Sequence, residues 1–370
     1  MSGSGFGFRI SDFGFKHILA CLALAVTLCL PHSLLAADNG TKEKSAASGR
    51  DTVIVDKETE ETIHGALKWL VSKQSPNGSW GTSGEESSRR VAMTGYTLMA
   101  FLAAGQLPGE GEFGKSVALG MNYLLDQVQP DGIIGKREDG QYMYGHGIAT
   151  IALAELYGQT RSGAIKTKLE RMIRVIISSQ NTEGGWRYRP VAKDADVSVT
   201  VLSVVAVRAA KNAGLEVPQR TIDDAVKYVK RCFDKRSGGF CYQPNGSPGF
   251  ARTAAAIYSL QVCGLYDDPL VKSGSEYLLN AMTKKNEHKE YFTYGHFYAA
   301  PAQYMIGGET WEKWYNGIKA ILLEAAAKDG DKTYWDPKQD RGREVGPTYC
   351  TAVYTMILAM PYHYLPLYQR

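Results

Sequence analysis

Gln74-Ser-Pro-Asn-Gly-Ser-Trp80 and Gln180-Asn-Thr-Glu-Gly-Gly-Trp186 are two copies of one pattern. Three further segments repeat it more loosely: Gln129-Pro-Asp-Gly-Ile-Ile-Gly135, Asp234-Lys-Arg-Ser-Gly-Gly-Phe240 and a degenerate Asp329-Gly-Asp-Lys-Thr-Tyr-Trp335. Each copy follows a stretch with apolar residues at helical spacing, such as Ala66, Leu67, Trp69 and Leu70, or Met121, Tyr123, Leu124 and Leu125. After each comes a small-residue apolar stretch: Thr94 to Gly105, Gly147 to Gly158, Thr253 to Gly264, Thr351 to Met360. The first kind of helix is half polar and is expected to face solvent. The second is apolar almost all round and is expected to be buried. The first-turn positions of the buried stretches are Met93, His146, Asp196, Arg252, His296 and Cys350, spaced by 53, 50, 56, 44 and 54 residues. One repeat is therefore a pair of helices. Six helical hairpins, apolar helices inward, predict an all-α, single-domain (α/α)6 toroid over residues 52–370. A straight solenoid would need polar capping repeats at its ends, and the sequence offers none.

The chain is 370 residues long, 44% hydrophobic and 22% charged, enough for a sizeable core and unlike a disordered chain. Its net charge of +4 comes from 42 basic and 38 acidic residues without a polybasic run, so no nucleic acid is expected as a partner. Arg9 and Lys16 precede an apolar run from Ile18 to Leu30, and small residues Ser33, Ala36 and Ala37 follow, ahead of Asp38. This pattern is that of a secretory signal peptide over residues 1–37. The run is too short for an ordinary spanning helix. A secreted or periplasmic protein with no membrane span is expected, its residues 38–51 a flexible leader. Of the four cysteines that would remain, Cys232, Cys241, Cys263 and Cys350, the pair Cys232–Cys241 flanks one short loop. A bridge there and buried reduced thiols are both open.

Loops of the form Gln-x-x-x-Gly-x-Trp between an outer and an inner helix resemble the repeats of protein prenyltransferase β subunits and of squalene and oxidosqualene cyclases. The closing Pro361-Tyr-His-Tyr-Leu-Pro-Leu-Tyr-Gln-Arg370 resembles the tail of exported bacterial prenyltransferase/squalene-oxidase-repeat proteins. The resemblance implies the α/α toroid of the terpenoid cyclase and protein prenyltransferase superfamily, and loops that act as braces. Prenyltransferase β subunits hold zinc with an Asp-x-Cys pair and a His on the next inner helix. Arg252 and Ala254 stand at the matching place here, with His296 following, so no metal and no cofactor are expected. Class II terpene cyclases donate a proton from the middle Asp of Asp-x-Asp-Asp. Asp194 and Asp196 resemble its first and middle members, while Val197 replaces the last.

Read from the residues, parallel inner helices would gather their N-termini, with free N–H groups, at one mouth of a central cavity. His146, Asp196, Arg252, His296 and Cys350 would ring that mouth, with Tyr144 and Tyr294 from the repeated tripeptide Tyr-Gly-His. The 22 tyrosines against 11 phenylalanines suit aromatic walls for an apolar chain or a sugar face. Three functions follow. The first is a cavity that binds an apolar or amphipathic, isoprenoid-like ligand near Arg252, His146 and His296. The second is an enzyme, terpene cyclase-like or carbohydrate-active, with Asp196 as acid beside Asp194. The third is a protein-interaction scaffold with a packed cavity. Helix capping accounts for Asp194 and Asp196 equally well.

Overall fold

The structure, a computed structural model, describes residues 53–81, 86, 89–136, 142–283, 289–336 and 346–368. The proposed signal peptide and leader lie outside the described residues. Six helices carry one apolar stripe each: α1 (Lys57–Ser72), α3 (Gly114–Gln127), α5 (Gly163–Ser178), α7 (Gln219–Arg231), α9 (Pro269–Thr283) and α11 (Gly308–Glu324). They alternate with six that are buried on nearly every face: α2 (Arg90–Ala103), α4 (Tyr142–Thr160), α6 (Val197–Asn212), α8 (Phe250–Val262), α10 (Phe292–Ile306) and α12 (Pro347–Ala359). Each buried helix packs on the next, and α12 packs back on α2, so the inner ring is closed. The predicted (α/α)6 toroid is what forms. One correction is local: the degenerate fifth loop is a small antiparallel hairpin, β1 (Ala327–Asp329) with β2 (Lys332–Tyr334).

The loop motif works as a three-way brace. The indole N–H groups of Trp80, Trp186 and Trp335 donate to Leu70 O, Ile176 O and Leu322 O at 2.7, 2.7 and 2.8 Å, satisfying carbonyls in the last turns of α1, α5 and α11. The backbone N–H of each aromatic donates to a threonine of the inner helix that follows: Trp80 to Thr94, Trp186 to Thr200, Phe240 to Thr253, Trp335 to Thr351. Gln74 and Gln180 reach sideways, each donating to its own loop glycine carbonyl and to the next outer helix, at Ser116 O (2.9 Å) and Thr221 O (2.8 Å). Gln129 differs. The hydrogen bonds of its loop place Val128, not Gln129, at the level of Gln74, and the Gln129 amide donates to Gly135 O instead.

Between these bonds sit Gly78, Gly132 and Gly184, with φ of +87°, +89° and +96°. A Cβ on them would lie 2.3, 2.3 and 2.1 Å from a backbone oxygen of the next outer helix, at Leu119, Arg171 and Asp224. Only glycine allows both the angle and the approach.

Ring closure joins the first hairpin to the last. Trp69 of α1 stacks on Tyr334 of β2 at 5.3 Å, and Lys68 and Lys319 pair with Asp331 and Asp56, each at 2.8 Å. The Glu86 carboxylate accepts the Tyr349 N–H at the start of α12, across 263 residues.

Gly184→Ala is expected to lower unfolding free energy by about 3 kcal/mol or more, from strain and clash combined. Gly163→Ala, where nothing lies within 4 Å, is the control and should change it little. Urea denaturation of the two variants checks both.

Candidate functional site at the rim of the inner ring

The inner helices begin at a common rim, as expected. At α4, α6 and α12, however, leading N–H groups are already bonded. Tyr188 O accepts from Met143 at the start of α4, Tyr242 O accepts from Val197 at the start of α6, and Glu86 accepts from Tyr349 in α12. At three of the six inner helices the chain itself thus occupies a leading N–H of the expected anion-binding mouth.

The expected ring of first-turn side chains does not assemble. His146 is fully buried behind α4, its Nδ1 2.6 Å from the Tyr142 hydroxyl and its Nε2 3.0 Å from Met172 O of outer helix α5. That carbonyl can only accept, so Nε2 carries the proton and Tyr142 donates to Nδ1. Burial pushes the His146 pKa down to about 4. His296 is fully buried between Phe250, Phe292 and Trp314 of outer helix α11. Cys350 is buried with its sulfur 3.5 Å from Thr293 Oγ1. Arg252 is tied to its own loop at Ser247 O, 2.6 Å away. Asp194 lies on the exposed rim loop. Cys232, Cys241, Cys263 and Cys350 form no disulfide with one another. Cys232 and Cys241 share a backbone bond of 2.8 Å, and burial pushes the Cys232 thiol up to about 12.

The register at α6 is also corrected. Asp196 precedes its helix as the N-cap, the place taken by Gly249 before α8 and Gly346 before α12. The threonine bonds make Val199, not Asp196, the counterpart of Met93, Arg252 and Cys350.

Three predicted residues do meet. Asp196 Oδ1 accepts the Val199 N–H at 3.0 Å and the Ser198 hydroxyl at 2.5 Å. The Tyr144 hydroxyl meets Ser198 Oγ at 2.7 Å, and the Tyr294 hydroxyl donates to Ser198 O at 3.1 Å. Around them stand residues the sequence reading missed. Tyr188 stacks on Tyr144 at 5.9 Å and its hydroxyl bonds that of Tyr242, which in turn faces the Asp196 carboxyl. Arg187 Nε lies 3.7 Å from Asp196 Oδ2, and the guanidinium sits 5.2 Å over the Tyr188 ring. Burial raises the Asp196 pKa, while Ser198, Val199, Tyr242 and Arg187 pull it back. Asp196 itself has no exposed surface, whereas Tyr144, Tyr188, Tyr242, Tyr294 and Arg187 are half-buried and reach the rim. A signal for Tyr188 and Tyr242 exists: each stands two residues after the loop aromatic, in Gly-Gly-Trp-Arg-Tyr188 and Gly-Gly-Phe-Cys-Tyr242.

Below the rim the bore is occupied by side chains. Tyr294 crosses from α10 to α6, skipping α8, and Tyr96 of α2 meets Phe297 of α10 at 5.3 Å and Tyr349 of α12 at 4.8 Å. Tyr298 packs on Tyr294 and Phe297, and toward the far end Tyr258 of α8 meets Tyr298 and Tyr368. A concavity does open at the helix-C-terminal end, outside the bore, between Ala103, Tyr304, Met360 and His363.

Fold and rim together define an α/α toroid with an aromatic-filled bore. The chain belongs to the prenyltransferase alpha-alpha toroid domain family, whose model matches residues 47–215 and 191–309. Among curated proteins no sequence matches it. Solved structures do. A glycoside hydrolase family 76 mannosidase from Bacteroides thetaiotaomicron is 12% identical with a TM-score of 0.57, over 82% of this chain and 97% of its own. A cellobiose 2-epimerase from Bacillus thermoamylovorans is 13% identical with a TM-score of 0.59, over 81% and 98%. A type II terpene cyclase from Scytonema, in complex with geranylgeranyl dihydroxybenzoate, is 14% identical with a TM-score of 0.53, over 83% and 98%. At such identities the likeness is one of fold. No helix among the described residues is long and apolar enough to cross a membrane.

Because His146 is neutral when folded and protonates near 6.5 when unfolded, the native state should lose stability as pH falls from about 6.5 to about 4, by about 3 kcal/mol in all. His146→Leu should flatten that part of the curve, whatever its fixed cost. Urea midpoints measured across the range check the difference in slope.

Proposed function

We propose that this protein binds carbohydrate at the tyrosine rim, and that the bore beneath is structural. The observation that carries the reading is the cluster of four half-buried tyrosines, Tyr144, Tyr188, Tyr242 and Tyr294, joined through hydroxyl contacts around Ser198 and Asp196. Aromatic faces with fixed hydroxyls, a guanidinium and a carboxyl suit a hydroxylated ring, which offers both C–H faces and many hydrogen-bonding groups. An isoprenoid-like ligand in the bore would have to displace Tyr96, Tyr298 and Tyr349, which fill that space. The sugar-directed names among the structural neighbours accord with the rim reading, and an exported location would place the site among extracellular glycans.

Binding rather than turnover is favoured. Hydrolysis of a glycosidic bond uses two carboxyl groups. Here Asp196 is committed to capping α6 and to Ser198, and Asp194 is exposed on the loop before it.

Tyr188→Ala is expected to weaken binding about ten-fold or more while leaving the fold intact, as truncation of an aromatic anchor does. Calorimetry against a panel of oligosaccharides chosen by glycan array, beside a reducing-end assay, is the test. No glycan bound by the wild type, or one bound equally by Tyr188→Ala, would refute the rim. Reducing ends released by the wild type and lost in Asp196→Asn would replace binding with catalysis.

A further inference from the structure

The tyrosine cluster is bordered by a charged loop, Arg187-Tyr-Arg-Pro-Val-Ala-Lys-Asp194, which runs from the brace aromatic Trp186 to the start of α6. Its first leg is fixed by backbone bonds on both sides of Arg187. The Trp186 N–H donates to Thr200 Oγ1, its carbonyl accepts from Asp196 N at 3.0 Å, and Tyr188 O accepts from Met143 N at 2.9 Å. The end of the loop is tied by the Gln243 amide, which donates to Ala195 O at 2.7 Å. The Arg187 guanidinium packs over Tyr188, and Tyr188 packs on Tyr144. Arg187 thus has a set place beside the tyrosines, yet among the described residues none of its N–H groups makes a hydrogen bond. The carboxylate oxygen near it, Asp196 Oδ2, is 3.7 Å from Nε, beyond hydrogen-bonding distance, and Asp196 Oδ1 is taken by Ser198 and Val199. A third of the Arg187 side chain is exposed. Beyond it the exposed tip of the loop carries Arg189 and Lys193 against one exposed carboxylate, Asp194, and none of these three forms an ion pair among the described residues.

We propose that the glycan taken at this rim is an acidic one, and that Arg187 is the residue that reads its charge. The inference rests on the carbohydrate reading above and narrows its ligand class. A guanidinium presents its donors as a planar fork that a carboxylate or a sulfate meets with two oxygens at once. A neutral hydroxyl accepts a single such bond and brings no charge to the loop. Because the backbone on either side of Arg187 is bonded and its ring partner is in place, little freedom is lost when an anion docks. Arg189 and Lys193 extend the positive field outward from the tyrosines, an attraction that salt screens. The shared chemistry is thus an anionic group on a sugar ring, supplied either by the carboxylate of a uronic acid or by a sulfate ester.

The test is an array of oligogalacturonides and sulfated galactan oligosaccharides beside their carboxyl-reduced and desulfated counterparts, followed by calorimetry at low and moderate salt. The wild type should bind an acidic member about ten-fold or more tighter than its neutral counterpart, with the gap narrowing as salt rises. Whether the uronate or the sulfate series shows the gap identifies the source of the charge. Arg187→Gln should erase most of the preference while keeping the affinity for the neutral form, and Arg187→Lys, which keeps the charge without the fork, should recover only part of it. The wild-type comparison of charged and neutralised glycans stands even if a variant fails to fold. Acidic and neutral forms bound equally by the wild type, or a preference that survives in Arg187→Gln, would overturn the proposal. Tyr188→Ala separates this failure from that of the rim itself. A neutral glycan bound as well as its acidic form, and lost in Tyr188→Ala, would leave the rim standing and remove only its acidic specificity, whereas no binding of any glycan would remove both.

Discussion

Everything in this toroid depends on how closely one loop approaches the next outer helix. At Gly78, Gly132 and Gly184 the backbone comes so near Leu119, Arg171 and Asp224 that no Cβ fits. That contact fixes the angle between successive hairpins. The neighbouring bonds then fix everything around it: the indole on the preceding outer helix, the aromatic N–H on the threonine of the inner helix, and the glutamine amide on the following outer helix. Repeated at three successive junctions, the glycine contact sets the curvature with which the ring of six hairpins closes. Where it closes, the contacts are of another kind: a carboxylate on the first turn of α12, two lysine–aspartate pairs and one aromatic stack. The exposed pairs add little in water. The buried stack and the capped helix end hold the seam.

A closed ring of apolar helices leaves a bore, and this chain fills it with tyrosine rather than leucine. The choice has a physical consequence. Aromatic rings fill the axis, and the Tyr294 hydroxyl finds its partner across the ring at Ser198 O, whereas the buried hydroxyls of Tyr258 and Tyr298 have no hydrogen-bond partner among the described residues. The polar groups accumulate toward the rim, where water and a ligand can reach them, and Asp196 organises them by accepting from Ser198 and Val199. The same residue therefore caps a helix and orients a surface, so the site is anchored on a helix end.

The architecture was legible in the sequence because it rests on local pattern. The Gln-x-x-x-Gly-x-Trp loops and the contrast between half-polar and wholly apolar helices are enough to specify six hairpins. The site was only partly legible. Inner helices such as α4 and α10 are apolar all round, so periodicity does not say which face meets the bore and which meets the outer ring. His146 and His296 share the Tyr-Gly-His motif with Tyr144 and Tyr294, yet the histidines turn outward and the tyrosines inward, two positions apart on one helix. A one-residue shift at Gln129 and a three-residue shift at Asp196 misplaced the repeat register, because loops of unequal length precede α4 and α6. The contact of Glu86 with Tyr349 joins distant parts of the chain, and no local signal announces it.

The claim on which this account turns is that the bore is a core and not a chamber. Native mass spectrometry of the protein purified from its own host without detergent, at mildly acidic pH, measures it directly, with an organic extract of the same sample alongside. The account predicts the mass of the polypeptide with no apolar compound released into the extract. A hydrophobic molecule retained at one copy per chain would contradict it, and would return the function to the interior of the ring.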